Sequence, residues 1–168
     1  DKYDASTVSL NAETGKLNVA FVSRVEQSKG LDTLLKVAEI LSSRGYIGKI
    51  VFDLYGQKRD DFFDTHMSGK PMLEYKGILQ PDEVLNTLKS YDALIFPTHY
   101  DGEGCPGILV EALSVGLPII ASDWKYNAEF VEDGINGFLC QTFNAESYVN
   151  AIISLAESPD MRKVMARE

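Results

Sequence analysis

Cysteine is scarce. The 168 residues hold two, Cys105 and Cys140, with no C-x-x-C pair and no histidine at metal-ligand spacing beside either. That argues against a disulfide scaffold and against a zinc site, and two lone thiols suit a reducing cytosol. Long apolar runs are missing too. None approaches the ~18 residues needed to cross a bilayer, and no leader-like segment opens the chain. The expected location is therefore the cytoplasm, with any attachment to the inner face of a membrane carried by parts outside this chain. Positive charge is short as well. Sixteen Lys and Arg against 25 Asp and Glu leave a net charge of -9, which speaks against a nucleic-acid partner because phosphate backbones need a basic surface. A local cationic site for a small anion remains compatible with that total. Repeats, low-complexity tracts and linkers are absent, so residues 1–168 read as a single domain. At 45% hydrophobic and 24% charged, the chain is ordinary for a globular domain and long enough to bury a core without staples. It begins with Asp1 rather than Met, as a piece of a longer protein would.

What is present is alternation. The apolar runs at 17–23, 49–56, 72–79, 92–97 and 117–122 read as strands. Between them, residues 30–45, 58–67, 80–91 and 105–116 read as helices, with Pro81 and Pro106 near two starts and Gly45 and Gly116 at two ends. Residues 129–139 read as a short helix, a turn and a small extended piece, and 145–158 as a last amphipathic helix; the first dozen residues are polar and read as loose. Unbroken apolar strands separated by helices predict an α/β domain, a Rossmann-like doubly wound parallel sheet covered on both faces. Ligands of such sheets bind at the carboxyl ends of the strands. The loops to inspect are 23–30, 55–60, 77–81, 97–107 and 122–128.

The fourth of these loops offers two patterns. Gly102, Gly104 and Gly107 read G-x-G-x-x-G, with Asp123 at the end of the next strand, as in a dinucleotide site. Against that reading, five residues separate Phe96 from Gly102, and the fingerprint belongs to the first βα turn rather than the fourth. The plain alternative is that these glycines only shape a loop. Cys105 beside His99 suggests an activated thiol at a helix start, but Pro106 follows and no orienting partner is evident, so a buried, inert thiol is expected. The second pattern is Glu103 and Glu111, eight positions apart. Gly107, Glu111 and Ser114 fall at i, i+4 and i+7, which a solvent-facing helix stripe would also explain. Independent of this segment, Arg24 directly follows the first strand, and Lys29 stands where the next helix begins. Cations beside a helix N-terminus make a cradle for a diphosphate. Cations on the first loop and carboxylates on the fourth, opening on one sheet edge, suit a nucleoside diphosphate sugar.

With these residues together, the chain resembles the C-terminal, donor-binding domain of retaining GT-B glycosyltransferases of family 4, the glycosyl transferases group 1. The resemblance rests on the E-x7-E pattern from Glu103 to Glu111 within EGCPGILVEALSVGLPIIASD, on FVSRVEQSKGLDTLL, on YDALIFPT and on EFVEDGINGFL, in the family's order, and it runs from about Leu17 to Leu155. It implies that Arg24 and Lys29 bind the donor diphosphate, that Glu111 holds the ribose hydroxyls and that Glu103 contacts the donor sugar. The backbone around Gly104, Cys105, Gly107 and Ile108 would face phosphate and sugar, and Gly77 and Ile78 would lie along the base. Glu103, Arg24 and Lys29 are the implied catalytic set, with no metal and no cofactor beyond the donor. The implied role is polysaccharide biosynthesis, by sugar transfer to a glycan or lipid-linked acceptor. A preceding acceptor-binding domain of the same full-length protein is the implied partner, without which this piece is inactive. Cys105-Pro106-Gly107 departs from the family's Phe-Gly-hydrophobic pattern, and Pro106 removes one amide donor. The competing class is a non-enzymatic domain of the same architecture that binds a nucleotide or a partner.

Overall fold

The computed structural model describes residues 15–166; the polar opening dozen read above as loose lies outside them. Six strands, β1 (Leu17–Val22), β2 (Ile50–Tyr55), β3 (Leu73–Gly77), β4 (Ala93–Phe96), β5 (Ile119–Ser122) and β6 (Gly137–Cys140), form one sheet in the order β3-β2-β1-β4-β5-β6. All neighbours are parallel. β4 and β5 are buried on both faces, which is why their sequences are unbroken apolar runs rather than alternating ones. β2 alternates, because its Asp53 and Tyr55 side is only half covered. There Tyr91 donates its hydroxyl to Asp53 Oδ2 at 2.7 Å. Burial, then its bonds to Tyr55 and Asp53, push the Tyr91 hydroxyl well above the ordinary tyrosine range.

Helices α1 (Leu31–Ser43), α4 (Ala145–Glu157) and α5 (Pro159–Met165) cover one face, and α2 (Val84–Leu88) and α3 (Gly107–Ser114) the other. On the first face Leu34, Val37, Leu41, Phe52, Tyr148 and Ile152 are fully buried. On the second, Leu88, Leu94, Leu109 and Ile119 do the same work. This is the doubly wound sheet that the alternation predicts.

The departures are local. Residues 58–67 were expected to be helical, yet only a five-residue π turn forms, Phe63–Met67. The Asp60 carboxylate instead accepts the backbone N–H groups of Gln27 and Phe62, at 2.8 and 3.1 Å, and holds the segment against the first loop. α2 is shorter than 80–91: residues 81–83 form a turn in which the Glu83 carboxylate accepts Gln80 N–H at 2.8 Å, and the helix runs only from Val84 to Leu88. The small extended piece within 129–139 proves to be β6, in register with β5 from Gly137 to Cys140. A Cβ at Gly137 would lie 2.0 Å from the Ile119 carbonyl oxygen, so glycine alone allows that pairing. α5 was not foreseen, although Ser158 followed by Pro159 is a good helix start: the Ser158 hydroxyl accepts Met161 N–H at 3.2 Å.

Candidate functional site

The carboxyl edge of the sheet is assembled by close approaches that only glycine permits. Gly30 has φ +89°, and a Cβ there would lie 2.1 Å from the Pro97 carbonyl oxygen. The start of α1 can therefore lean directly on the loop that leaves β4, and His99 N–H bonds to the Ser28 carbonyl at 3.0 Å. Gly56 does the same between β1 and β2, where a Cβ would meet the Ser23 carbonyl at 1.7 Å. Further along the edge, Ser122 donates to the Thr98 carbonyl at 2.6 Å and Asn127 donates to the Ser122 carbonyl at 3.0 Å, both buried. The loops after β1, β4 and β5 thus form one connected body.

Within it, the first-loop cations and the fourth-loop carboxylate meet. Lys29, only 6% exposed, places Nζ 2.6 Å from Glu103 Oε2, and the Thr98 hydroxyl donates to the same oxygen at 2.7 Å. Arg24 is more open and pairs with Glu26 at 3.3 Å; Glu26 also accepts the Ser28 hydroxyl at 2.7 Å. The Tyr100 ring receives both cations on its π system, Lys29 at 4.4 Å and Arg24 at 4.7 Å from the centroid. Gly102 packs on that ring, since a Cβ would come within 2.7 Å of it. Two cations face two carboxylates, so the cluster is neutral as it stands.

The remaining candidates are arranged around this cluster. Glu111 lies one turn into α3, half-buried, with no hydrogen bond or ion pair to its carboxylate among the described residues. Gly107 and Ser114, on the same stripe, are exposed. A Cβ on Gly104 or Gly107 would meet nothing within 4 Å, so the folded chain itself does not require glycine at either position. Ile108 is partly buried against the second core cluster. Gly77 ends β3 at φ +97° and accepts Gly56 N–H at 2.8 Å, and Ile78 beside it is exposed. Among the described residues no group of three or more His, Cys, Asp or Glu side chains could hold a metal ion, and no helix is long and apolar enough to cross a membrane.

One expectation is corrected. Cys105 is a free, exposed thiol rather than a buried one; Pro106 turns inward in its place and is the buried residue at the head of α3. The glycine triad keeps the placement that argued against a dinucleotide reading. It follows β4, not β1, and its first glycine serves the Tyr100 ring. Tyr100, Thr98 and Glu26 were missed by the sequence reading. The one available signal for Tyr100 was an aromatic side chain in a loop at the carboxyl edge.

Comparison with known proteins adds a family and a fold. A family model described as glycosyl transferases group 1 matches residues 3–168. An uncharacterized 41.2 kDa protein of the cps region of Klebsiella pneumoniae is 28% identical over 139 residues, covering 83% of this chain and 37% of the relative. The amylovoran biosynthesis glycosyltransferase AmsK of Erwinia amylovora is 25% identical over 147 residues, covering 84% of this chain and 36% of its own length. The chain thus spans little more than a third of either relative. Among solved structures, a mutant of TarM from S. aureus in complex with fondaparinux, alpha-GlcNAc-glycerol and UDP matches with a TM-score of 0.76 at 22% identity, over 92% of this chain and 31% of that one. The C-terminal domain of a glycosyl transferase group 1 protein, LpcC, from Francisella tularensis matches with a TM-score of 0.74 at 15% identity, over 99% of this chain and 89% of that one. At those identities the structural matches speak for the fold.

Proposed function

The chain belongs to the glycosyl transferases group 1 family, and from that premise we propose that it is the donor-binding half of a retaining GT-B glycosyltransferase of family 4. In this reading a nucleoside diphosphate sugar lies along the carboxyl edge, and a preceding domain of the same protein brings a glycan or lipid-linked acceptor. The observation that carries it is the meeting of Arg24, Lys29 and Glu103 on one rigid edge, with Glu111 left unpaired on the adjoining helix.

Each residue has a task that its position supports. Arg24 and Lys29 bind the diphosphate and offset the charge that grows on it as its bond to the anomeric carbon breaks. Because both cations already hold carboxylates, an arriving diphosphate has to draw them away from Glu26 and Glu103. Glu103, released from Lys29, can then accept hydroxyls of the donor sugar. Glu111 accepts the ribose hydroxyls, which would give its empty carboxylate partners. Gly104 and Gly107 let the backbone approach phosphate and sugar, and the first free N–H groups of α3 face the same anion. Gly77 and Ile78 lie along the base. The relative named for amylovoran biosynthesis and the matched structure crystallised with UDP support a role in building a polysaccharide from a nucleotide sugar; in this reading that work is done in the cytoplasm.

The test is an equilibrium binding screen of UDP-, GDP- and ADP-glucose against NAD. Saturable binding of one nucleotide sugar in preference to NAD is the expected result. Tighter binding of NAD would overturn the reading.

A further inference from the structure

Beside the Lys29 cluster the same edge carries an open cavity of about 520 Å³, lined by Asp123, Trp124, Leu139, Gln141, Thr142 and Phe143. That volume falls within the roughly 300–1,000 Å³ typical of small-molecule sites. We propose that it is a saccharide subsite that holds a pyranose ring. The cavity sits where the loops after β5 and β6 open. It adjoins the cation cluster through the segment from Thr98 to Tyr100. The His99 ring packs on Phe143 with centroids 4.9 Å apart, while Tyr100, the next residue, lies under Lys29 and accepts the Trp124 indole N–H at 2.9 Å.

Three features of the lining point to a sugar. First, aromatic surface is presented outward. Phe143 is 61% exposed, and Trp124 stands against it edge-on at 6.5 Å. A pyranose has a face of C–H groups that carry slight positive charge, which suits the negative face of an aromatic ring. Second, the polar groups are of the kind that meet hydroxyls. The Asp123 carboxylate is exposed, Gln141 carries an amide, and Thr142 a hydroxyl that donates to the Asp123 carbonyl at 2.9 Å. Third, the backbone takes a disfavoured conformation at Phe143 in the lining and at Lys125 beside Trp124. Only three non-glycine residues among those described have positive φ, and two are here, Lys125 at +51° and Phe143 at +64°. Side chains at such angles are disfavoured, and such residues cluster at functional sites. Lys125 also places its ammonium 5.3 Å from the Trp124 ring, so Phe143 is the open platform and Trp124 the wall.

The inference rests on the transferase reading for its biological sense: a sugar held here lies next to the donor edge. Its test does not depend on that reading. Trp124 is the one tryptophan of the sequence, so intrinsic fluorescence reports on this cavity directly. The chain is titrated with maltose, cellobiose, lactose and chitobiose, and separately with UDP. A saturable fluorescence change with at least one disaccharide is expected. Its apparent affinity should fall about tenfold in Phe143→Gly. Phe143→Gly relieves the positive φ and should keep or raise the melting temperature, which separates lost recognition from lost structure. No saturable change with any of the four sugars, or a change equally strong in Phe143→Gly, would overturn the subsite. A response to UDP with none to the sugars would overturn it too. Failure of every nucleotide to bind, with the sugar response intact, would sink the donor reading and spare this one.

Discussion

Glu103 and Glu111 stand eight positions apart, in the loop after β4 and on the helix that follows it. One oxygen of Glu103 is shared between the Lys29 ammonium and the Thr98 hydroxyl, and the pair is almost wholly buried. The Glu111 carboxylate is half-buried and meets no polar partner among the described residues. The first glutamate is used by the fold and must be taken from it by any ligand. The second contributes nothing visible to the fold, so a reason for it has to be sought outside the chain.

The largest test of that difference is on stability. Lys29→Met leaves Glu103 charged and without its ion-pair partner in a buried place, which should cost about 3 kcal/mol or more. Glu111→Ala should change stability by no more than ~0.5 kcal/mol, as expected of a side chain without structural partners. Thermal melting of the two variants checks both. Equal losses would erase the distinction between the glutamates.

Next in size is a pair of glycines from the same two loops. Gly30→Ala drives a methyl group into the Pro97 carbonyl at a positive φ, so about 2–3 kcal/mol should be lost. Gly104→Ala meets open space and should cost under ~1 kcal/mol. Denaturant unfolding of both variants sharpens the contrast between positions the fold needs and positions it leaves free.

A smaller effect follows from the neutrality of the cation cluster. Glu103→Gln keeps the shape and the Thr98 bond but removes the charge that Lys29 now faces. Free nucleoside diphosphate should then bind a few-fold more tightly, about 1 kcal/mol. Titration of the variant with the preferred diphosphate measures it. Weaker binding would mean that Glu103 orients Lys29 rather than competing for it.

The smallest effect concerns the two thiols. Cys105 is exposed near the edge and Cys140 is buried. Burial, opposed by a bond from Ser147 and aided by Asp133, pushes the Cys140 thiol from its ordinary 9.0 up to about 12. One thiol per chain should therefore react quickly with a thiol reagent in the folded state, and the second only on unfolding. The fold holds the Cys140 proton more tightly than the unfolded chain does. That contribution to stability is complete below about pH 9 and fades as the pH climbs toward 12.

The sheet was legible because β4 and β5 are buried on both faces and must be apolar throughout, and because glycines and prolines mark the helix ends. β6 was legible only as an extended scrap, since its pairing depends on what Gly137 lets Ile119 do. The candidate residues could be named from spacing and resemblance. Their arrangement could not, because the Lys29–Glu103 pair depends on a backbone contact between Gly30 and Pro97 that spans 67 positions of sequence. The burial of Lys29 has no sequence signature, and Tyr100 offered only an aromatic side chain in a loop at the carboxyl edge. The exposure of Cys105 was misread because the lack of an activating partner in the sequence was taken for burial; Pro106 fills the inward position instead.

The proposed binding of a nucleoside diphosphate sugar along this edge, with Glu111 on its ribose, is tested with the least interference from folding by Glu111→Ala. Calorimetric titration of the wild-type chain and of this variant with the preferred nucleoside diphosphate is the measurement. A hydrogen bond to a charged group is worth about 1.5–3 kcal/mol, so a loss of roughly tenfold to a hundredfold in affinity is expected at an unchanged melting temperature. Equal affinities in the two proteins would contradict it, and would return Glu111 to the solvent-facing stripe of α3.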